Sequence, residues 1–191
     1  KGVAIYDLAN QKFIPPAAVS SGYHPDYGQW GSDFLNTKNG DIWIASHAGL
    51  FRYKGDSVQS YYAGKYPGML ASSLIYCLFE DSHGDVWVGT SNSLEKFIPE
   101  QNAFKNYSTG YGVPVNVKCI LEDDHEQIWI STTHEITMLD LETKKVTHFG
   151  DSYNIQEGEF HQCACMKTQS GKMFFGGTEG FNSFWPDSLT D

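Results

Sequence analysis

Short apolar runs separated by turn-forming residues fill the middle of the chain. Residues 73–81, SLIYCLFED, and Val86–Thr90 are rich in β-branched and aromatic side chains, and the tetrapeptide SHGD separates them. Two further runs, Leu94–Ile98 and residues 103–107, follow after similar turns. This pattern predicts four short antiparallel strands joined by hairpin turns, a meander of about forty residues. The first two strands are apolar on both faces, so the predicted sheet needs neighbours on both sides.

The same pattern recurs along the chain at a nearly constant spacing. Trp43, Trp87, Trp129 and Phe174 occupy equivalent positions, with separations of 44, 42 and 45 residues. Such a period marks a repeat architecture in which each unit buries its apolar faces against its neighbours. Four-stranded sheets packed in this way form the blades of a β-propeller, although a solenoid of sheets would also satisfy the burial pattern. We therefore predict an all-β fold made of β-propeller blades.

The repeats divide residues 1–191 into the blades of one propeller segment. We expect three complete blades, then a last blade without its outer strand, and a pair of outer strands at the beginning of the chain. The corresponding ranges are 32–62, 73–107 and 115–149, then 160–186, and finally 1–14. Residues 12–14 could complete the last blade and close a four-bladed ring, but we expect a fragment of a larger propeller. An open arc would leave two apolar blade faces uncovered, so we also expect self-association.

Charge and cysteine content exclude several classes of protein. The net charge of −10 disfavours nucleic-acid binding, which needs a basic surface. No apolar run approaches the roughly 20 residues that span a bilayer. Cys77 and Cys119 share one apolar repeat position, and the pair Cys163 and Cys165 lacks the second ligand pair of a zinc site. We therefore expect four free thiols, no metal and no cofactor.

The loops that join one blade to the next are the candidate binding elements. They comprise residues 20–31, 63–72, 108–116 and 150–159, and each contains tyrosine. In a propeller these loops share one face with the turns between the second and third strands, and such loops commonly carry function. Aromatic rings stack on sugars while nearby polar groups bond to hydroxyls, so we predict an oligosaccharide-binding face. The predicted ligand-binding residues are Tyr23, His24, Asp26, Trp30, Tyr66, Tyr111 and Tyr153. Alternatively, these tyrosines fill gaps between blades.

Other candidate chemistry has simpler explanations. His47 and His134 share a turn position, but their blades are not adjacent, so we interpret both as solvated. Residues 81–85, DSHGD, resemble a calcium loop but lack its downstream glutamate, which predicts a plain turn. The acidic residues 122–124 and 157–159 could cleave glycosides as carboxylate pairs, yet the first group lies on the face opposite the aromatic loops. We therefore predict no catalytic residues.

Residues 80–94 suggest a family. They read EDSHGDVWVGTSNSL, which resembles the two-component regulator propeller repeat with its signature E-D-x-x-G-x-[IL]-W-[IV]-G-T-x-x-G-[IL]. Two other blades have Ala45 and Ser131 where the first glycine of G-T-x-x-G is expected. At the second glycine, residues 80–94 have Ser93 and the blade of residues 115–149 has Glu135. Residues 171–189, GKMFFGGTEGFNSFWPDSL, resemble the final blade of such a propeller.

This resemblance implies a role in signalling. In that family an immunoglobulin-like domain, a membrane span and a histidine kinase normally follow the propeller. The chain would then be a non-catalytic, periplasmic sensor segment of a membrane-anchored hybrid two-component protein of the Bacteroides type. It would recognise oligosaccharide, form a homodimer and pass movement to the kinase. The alternatives are a carbohydrate-active lyase or hydrolase on a propeller scaffold, which two carboxylates about 5–10 Å apart in one pocket would favour, and a protein–protein or dimerisation scaffold.

Overall fold

The computed structural model describes residues 5–8, 10–14, 31–55, 57–150 and 153–190. These residues form β-strands and two short helices. The strands are β1 (Ile5–Asp7), β2 (Lys12–Ile14), β3 (Gly31–Asn36), β4 (Ile42–Ser46), β5 (Gly49–Lys54), β6 (Ser57–Tyr61), β7 (Ile75–Glu80), β8 (Val86–Thr90), β9 (Leu94–Ile98), β10 (Ala103–Asn106), β11 (Cys119–Glu122), β12 (Ile128–Ser131), β13 (Ile136–Leu139), β14 (Val146–Phe149), β15 (Phe160–Lys167), β16 (Met173–Gly177) and β17 (Gly180–Phe184). The helices are α1 (Tyr107–Tyr111) and α2 (Asp187–Thr190).

The strands form four antiparallel sheets in chain order and one separate hairpin. Strands β3–β6, β7–β10 and β11–β14 are four-stranded meanders, and β15–β17 form a three-stranded sheet; we call these blades one to four. The predicted all-β propeller fold, with a last blade lacking its outer strand, is confirmed. Strands β1 and β2 pair with each other, so within the described ranges β2 does not complete blade four.

The first strands of the four blades meet around one axis, and Cys163 of β15 lies close to it. Its N–H donates to the carbonyl of Lys118 at 3.0 Å, just before β11. Its Sγ lies 3.4 Å from the carbonyl of Tyr76 in β7 and 3.8 Å from that of Ser32 in β3. A bulge in β15 gives Cys163 a positive φ of 54°. The bulge therefore directs the fourth blade towards the other three.

Blades one to three each bury their tryptophan face against the next blade. Trp43 packs in a cluster with Val86 and Val88 of blade two, and Trp87 packs with Ile128 of blade three. Trp129 repeats this arrangement against blade four. The three indoles are buried and the opposite faces carry β-branched residues, which explains why both faces of the second strands are apolar.

The turn between β7 and β8, the first and second strands of blade two, is built around an aspartate. Asp81 Oδ1 accepts hydrogen bonds from the N–H of His83 at 3.1 Å and of Asp85 at 2.8 Å. Its Oδ2 accepts the indole N–H of Trp87 at 2.8 Å. One carboxylate thus closes the turn and satisfies the polar atom of a buried indole, which accounts for the aspartate six residues before the tryptophan.

The glutamate that precedes this aspartate joins neighbouring blades. Both oxygens of Glu80 accept the Lys38 N–H in the first turn of blade one, at 3.0 Å each. Glu122 repeats the contact one blade later, where it accepts the N–H of Ser82 at 2.7 Å and its hydroxyl at 2.9 Å. The acidic pair at residues 122–123 therefore has structural partners.

Blades three and four are joined by an ion pair and a disulfide. Lys167 is the last residue of β15, directly before the turn to β16. Its ammonium donates to the Asp124 carboxylate at 2.9 Å. This hydrogen bond lowers the pKa of Asp124. Cys119 and Cys165, on the facing strands β11 and β15, form a disulfide with a Cα–Cα distance of 6.2 Å. The expectation of four free thiols is therefore wrong. Repeat spacing hides this pairing because the bulge in β15 sets which of the two late cysteines faces blade three.

Candidate functional site

The interblade loops and the turns between second and third strands lie on one face, which we call the loop face. The N–H of Asn116, in the loop before blade three, donates to the carbonyl of Ser91 at 3.0 Å. The N–H of Phe160, after the next loop, donates to the carbonyl of Thr133 at 3.1 Å. These two loops are thus bonded to the turns of the blades before them, as in the predicted arrangement.

The predicted ligand residues fall into three groups. Tyr23, His24, Asp26 and Trp30 lie outside the described residues. Tyr66 and Tyr153 are exposed in their loops, and Tyr153 packs edge-on against Phe149 with 5.0 Å between ring centroids.

Tyr111 is in a different environment. Its ring stacks on Tyr107 with a centroid distance of 5.0 Å, and Tyr107 in turn contacts Trp87 at 4.9 Å. The ammonium of Lys105 lies 5.3 Å from the Tyr111 ring, and the hydrogen bond between these two residues raises the pKa of Lys105. At Tyr111 the structure therefore has the gap-filling arrangement that was the alternative to ligand binding.

Two depressions flank His134 on the loop face. The first, about 570 Å³, is lined by His134, Asn154, Ile155, Gln156 and Glu157. The second, about 580 Å³, lies between the same turn and the preceding loop, and its lining includes Asn116 and Glu135. His134 itself is exposed at the ridge between them. These two depressions are the candidate site. Tyr153 directly precedes Asn154, which lines the first of them.

The far wall of the first depression is fixed by Asn182 in β17. Its Oδ1 accepts the N–H of Gln156 at 3.0 Å, and its Nδ2 donates to the carbonyl of Asn154 at 3.1 Å. The side-chain oxygen of Gln156 accepts the N–H of Glu179 at 3.0 Å. The loop backbone is held from below while Asn154 and Glu157 remain exposed, so the site is preformed.

The lining groups determine what this site can do chemically. The exposed polar groups of the first depression are the His134 imidazole, the Asn154 amide and the Glu157 carboxylate, which can donate to and accept from hydroxyls. The amide nitrogen of Gln156 is buried. Each depression is lined by a single carboxylate residue, and Glu135 in the second is hydrogen-bonded to His148 at 3.1 Å. The arrangement suits binding of a polar, uncharged ligand that offers hydroxyl groups.

The opposite face carries a more acidic cavity of about 580 Å³ between blades two and three. Asp81, His83 and Glu122 could each offer one atom to a metal within 4.8 Å of the others. However, the carboxylates of Asp81 and Glu122 already accept the turn and interblade hydrogen bonds described above. Asp85 forms an ion pair with Lys96, and His83 lies 3.6 Å from Glu126. The acids of this face are thus engaged in holding turns.

Sequence comparison identifies the repeat. The model of the family described as two component regulator propeller matches residues 69–92. These residues are similar to a two-component regulator propeller repeat. The match contains β7, β8 and the aspartate turn between them, so the resemblance inferred from residues 80–94 is confirmed. No curated protein sequence matches the chain.

Solved structures share the fold. The extracellular domain of BT3049 from Bacteroides thetaiotaomicron, assigned to a hybrid two-component system, matches with a TM-score of 0.80 at 25% identity. That of BT4673, from the same organism and assigned likewise, matches with a TM-score of 0.68 at 19% identity. The alignments cover 98% and 96% of this chain but 26% and 23% of those domains. The chain therefore spans about a quarter of the length of these extracellular domains.

A virginiamycin B lyase from Staphylococcus aureus also matches, with a TM-score of 0.61 at 14% identity over 81% of this chain and 55% of the lyase. At 14% and 19% identity the likeness shows the propeller fold alone. Within the described residues, no helix has the length and apolarity needed to cross a membrane.

Proposed function

We propose that the chain is a non-catalytic sensor segment of a hybrid two-component signalling protein. The observation that carries this proposal is the combination of the propeller repeat at residues 69–92 with the similarity to the BT3049 extracellular domain over 98% of the chain. In the full-length protein, a histidine kinase would read out movement of the propeller. Ligand binding or dimerisation would change the arrangement of the blades and of the domain that follows.

The ligand is an oligosaccharide bound at the depressions around His134. Support comes from the imidazole, amide and carboxylate groups of the first depression and from the exposed ring of Tyr153 in the same loop. Sugar sites combine an aromatic platform with such groups, since rings cover C–H faces and polar groups bind hydroxyls.

The location of this segment is periplasmic. The disulfide between Cys119 and Cys165 supports this assignment because structural disulfides persist in oxidising compartments such as the bacterial periplasm. The extracellular domains of the matched Bacteroides proteins agree with it.

A calorimetric titration with neutral oligosaccharides of three to six sugars tests the ligand. We expect binding that weakens about tenfold or more in Tyr153→Ala and His134→Ala, since one lost stacking or hydrogen-bond contact amounts to about 1–1.5 kcal/mol. His83→Ala removes an exposed histidine from the opposite face and should leave the affinity unchanged. If no oligosaccharide in the panel binds, the carbohydrate proposal is wrong. Turnover of the sugar would instead favour a lyase or hydrolase.

We also propose that the chain associates with a second copy of itself. Blade four exposes Met166 and Phe181 (66% exposed). They lie on the face that corresponds to the tryptophan face of blades one to three, which those blades bury against the next blade. Blade one exposes Phe34 (60%) and Ile42 on the face that blades two to four bury against a preceding one. A second copy of the chain carries the complementary face, so the two surfaces can meet as the interior blades do.

Sedimentation velocity tests this association. We expect concentration-dependent dimers or larger species that Phe181→Glu or Phe34→Glu converts to monomers. Tyr66→Glu, at an exposed site on the loop face, is the matched control and should leave association intact. A wild-type chain that stays monomeric at all concentrations would contradict the proposal.

A further inference from the structure

Glu95, the second residue of β9, is a buried carboxyl group with an incomplete set of partners. It is 1% exposed. Its Oε1 accepts hydrogen bonds from the N–H of Ala71 at 3.0 Å and from Nδ2 of Asn106 at 3.4 Å. Its Oε2 is buried and has no hydrogen-bond partner. Burial of a carboxylate with one oxygen left without a hydrogen bond is costly, so the site favours the neutral acid.

Ala71 belongs to the interblade loop of residues 63–72 on the loop face. The loop is also held by the buried side chain of Leu70 and by the hydrogen bond from the N–H of Phe104 to the carbonyl of Gly68 at 2.9 Å. Ser72 and the carbonyl of Ala71 bond to the side chains of Ser91 and Asn92, at 2.8 and 3.5 Å. Glu95 is the ionisable group among these anchors. A change in its charge therefore acts directly on the docking of the loop.

The same position anchors a loop in blade four. Glu95 lies opposite Val88, the residue after Trp87, and Asn182 lies opposite Phe175, the residue after Phe174. As described above, Asn182 holds the loop of residues 153–157 through two hydrogen bonds. The equivalent residue in blade three, Thr137, is buried with an unpartnered hydroxyl. This position thus carries a neutral anchor in blade four and an ionisable one in blade two.

We propose that Glu95 is a proton-controlled anchor for the loop of residues 63–72. With the proton bound the loop is docked, and release of the proton to solvent favours an undocked loop in which the carboxylate is hydrated. The inference rests on the proposed function only in treating this loop as part of the ligand-binding face.

Among the residues that the structure describes, no cation pairs with Glu95. Its partners Ala71 and Asn106, and Ser93, which precedes β9, are uncharged, and burial raises the pKa of Glu95 to about 7. Lys96 pairs with Asp85 on the other face of β9, and Lys105 lies over aromatic rings. Titratable groups on the loop and on blade one include Lys65, Tyr66, Arg52, Asp41 and Tyr61, of which Arg52 and Asp41 pair with each other.

The size of the effect follows from linkage. The docked carboxyl has a pKa of about 7 and the hydrated one has the ordinary value of 4.5. The ratio of undocked to docked loop should therefore rise roughly 25-fold between pH 5.5 and pH 8.

Amide hydrogen exchange of residues 63–72, corrected for intrinsic rates, tests the proposal. We expect the protection of the Ala71 N–H to fall about 25-fold from pH 5.5 to pH 8 in the wild type. Glu95→Gln should remove this dependence, whereas Glu100→Gln, at an exposed turn of the same blade, should retain it. The loop of residues 108–116, before the blade that carries Thr137, is an internal reference that should not respond.

Equal pH dependence in wild type and Glu95→Gln would overturn the proposal. If Glu95→Gln does not fold, a carbon-13 NMR titration of the wild-type glutamate carboxyls decides instead. A Glu95 carboxyl that titrates near 4.5 would also overturn it. Neither measurement uses a sugar, so failure of oligosaccharide binding and failure of this inference are distinguishable.

Discussion

The aspartates of the turns between first and second strands show how a buried acid can support the core. Asp123 repeats the contacts of Asp81, since its Oδ1 accepts the N–H groups of His125 and Gln127 at 2.9 Å each and its Oδ2 accepts the Trp129 indole at 2.7 Å. The next residue, Asp124, has an exposed side chain and bonds to Lys167. Two adjacent aspartates thus differ sharply in structural role.

We predict that Asp123→Ala lowers the free energy of unfolding by about 2–4 kcal/mol, because three donors, including a buried indole, lose their acceptor. Chemical denaturation followed by tryptophan fluorescence measures this. Asp124→Ala is the matched control and should change stability far less. Equal losses in the two variants would show that the turn contacts of Asp123 contribute little.

Glu95 makes stability depend on pH in a definite direction. Its pKa is raised to about 7 in the folded chain from 4.5, so the folded state binds the proton more tightly. Stability is highest below pH 4.5 with respect to this group and is lost as pH rises towards and through 7. The loss is up to about 3 kcal/mol. Asp140 has the opposite effect, because the Thr143 N–H lowers its pKa and its contribution is lost only in acid.

We predict that Glu95→Gln gains stability relative to wild type as pH increases from 4.5 to 8. Urea denaturation of both proteins at several pH values measures this difference. A constant difference across this range would contradict the raised pKa.

At the level of elements, the strands with clear turn residues at both ends are the ones the sequence predicts best. Strands β8 and β9 begin and end where expected, since Gly84 and the residues 91–93 limit them. Helix α1 was not predicted, because five residues are too few to show helical periodicity. It depends on local capping instead, with Asn106 accepting the Thr109 N–H at 2.8 Å and Gly112 in the left-handed region at φ 77°.

The disulfide between β11 and β15 gives a prediction at the same scale. It closes a segment of 46 residues, and its removal in the Cys119→Ala, Cys165→Ala double variant should cost up to about 4 kcal/mol. Thermal unfolding with and without reductant measures the loss. Cys163→Ala keeps the disulfide and should respond to reductant as the wild type does. Four titratable thiols in denaturant without reductant would contradict the pairing.

For the whole molecule, the repeat predicts the fold and the loop face, whereas the composition of the candidate site depends on tertiary contacts. The period of the tryptophans reports which faces are buried, and that determines the stacking of blades. The sequence predicts that the loop of residues 150–159 binds ligand. It does not predict that Asn182 positions Asn154 and Gln156 in this loop. No local spacing in the sequence reveals that contact.

We have proposed that the chain senses an oligosaccharide on its loop face. Hydrogen exchange with and without the tightest-binding oligosaccharide tests it most directly. We predict protection of residues 112–116, 132–135 and 153–157, around His134, and none at the opposite turns 81–85 and 123–127. Protection confined to those opposite turns, or no protection in any segment, would contradict the account.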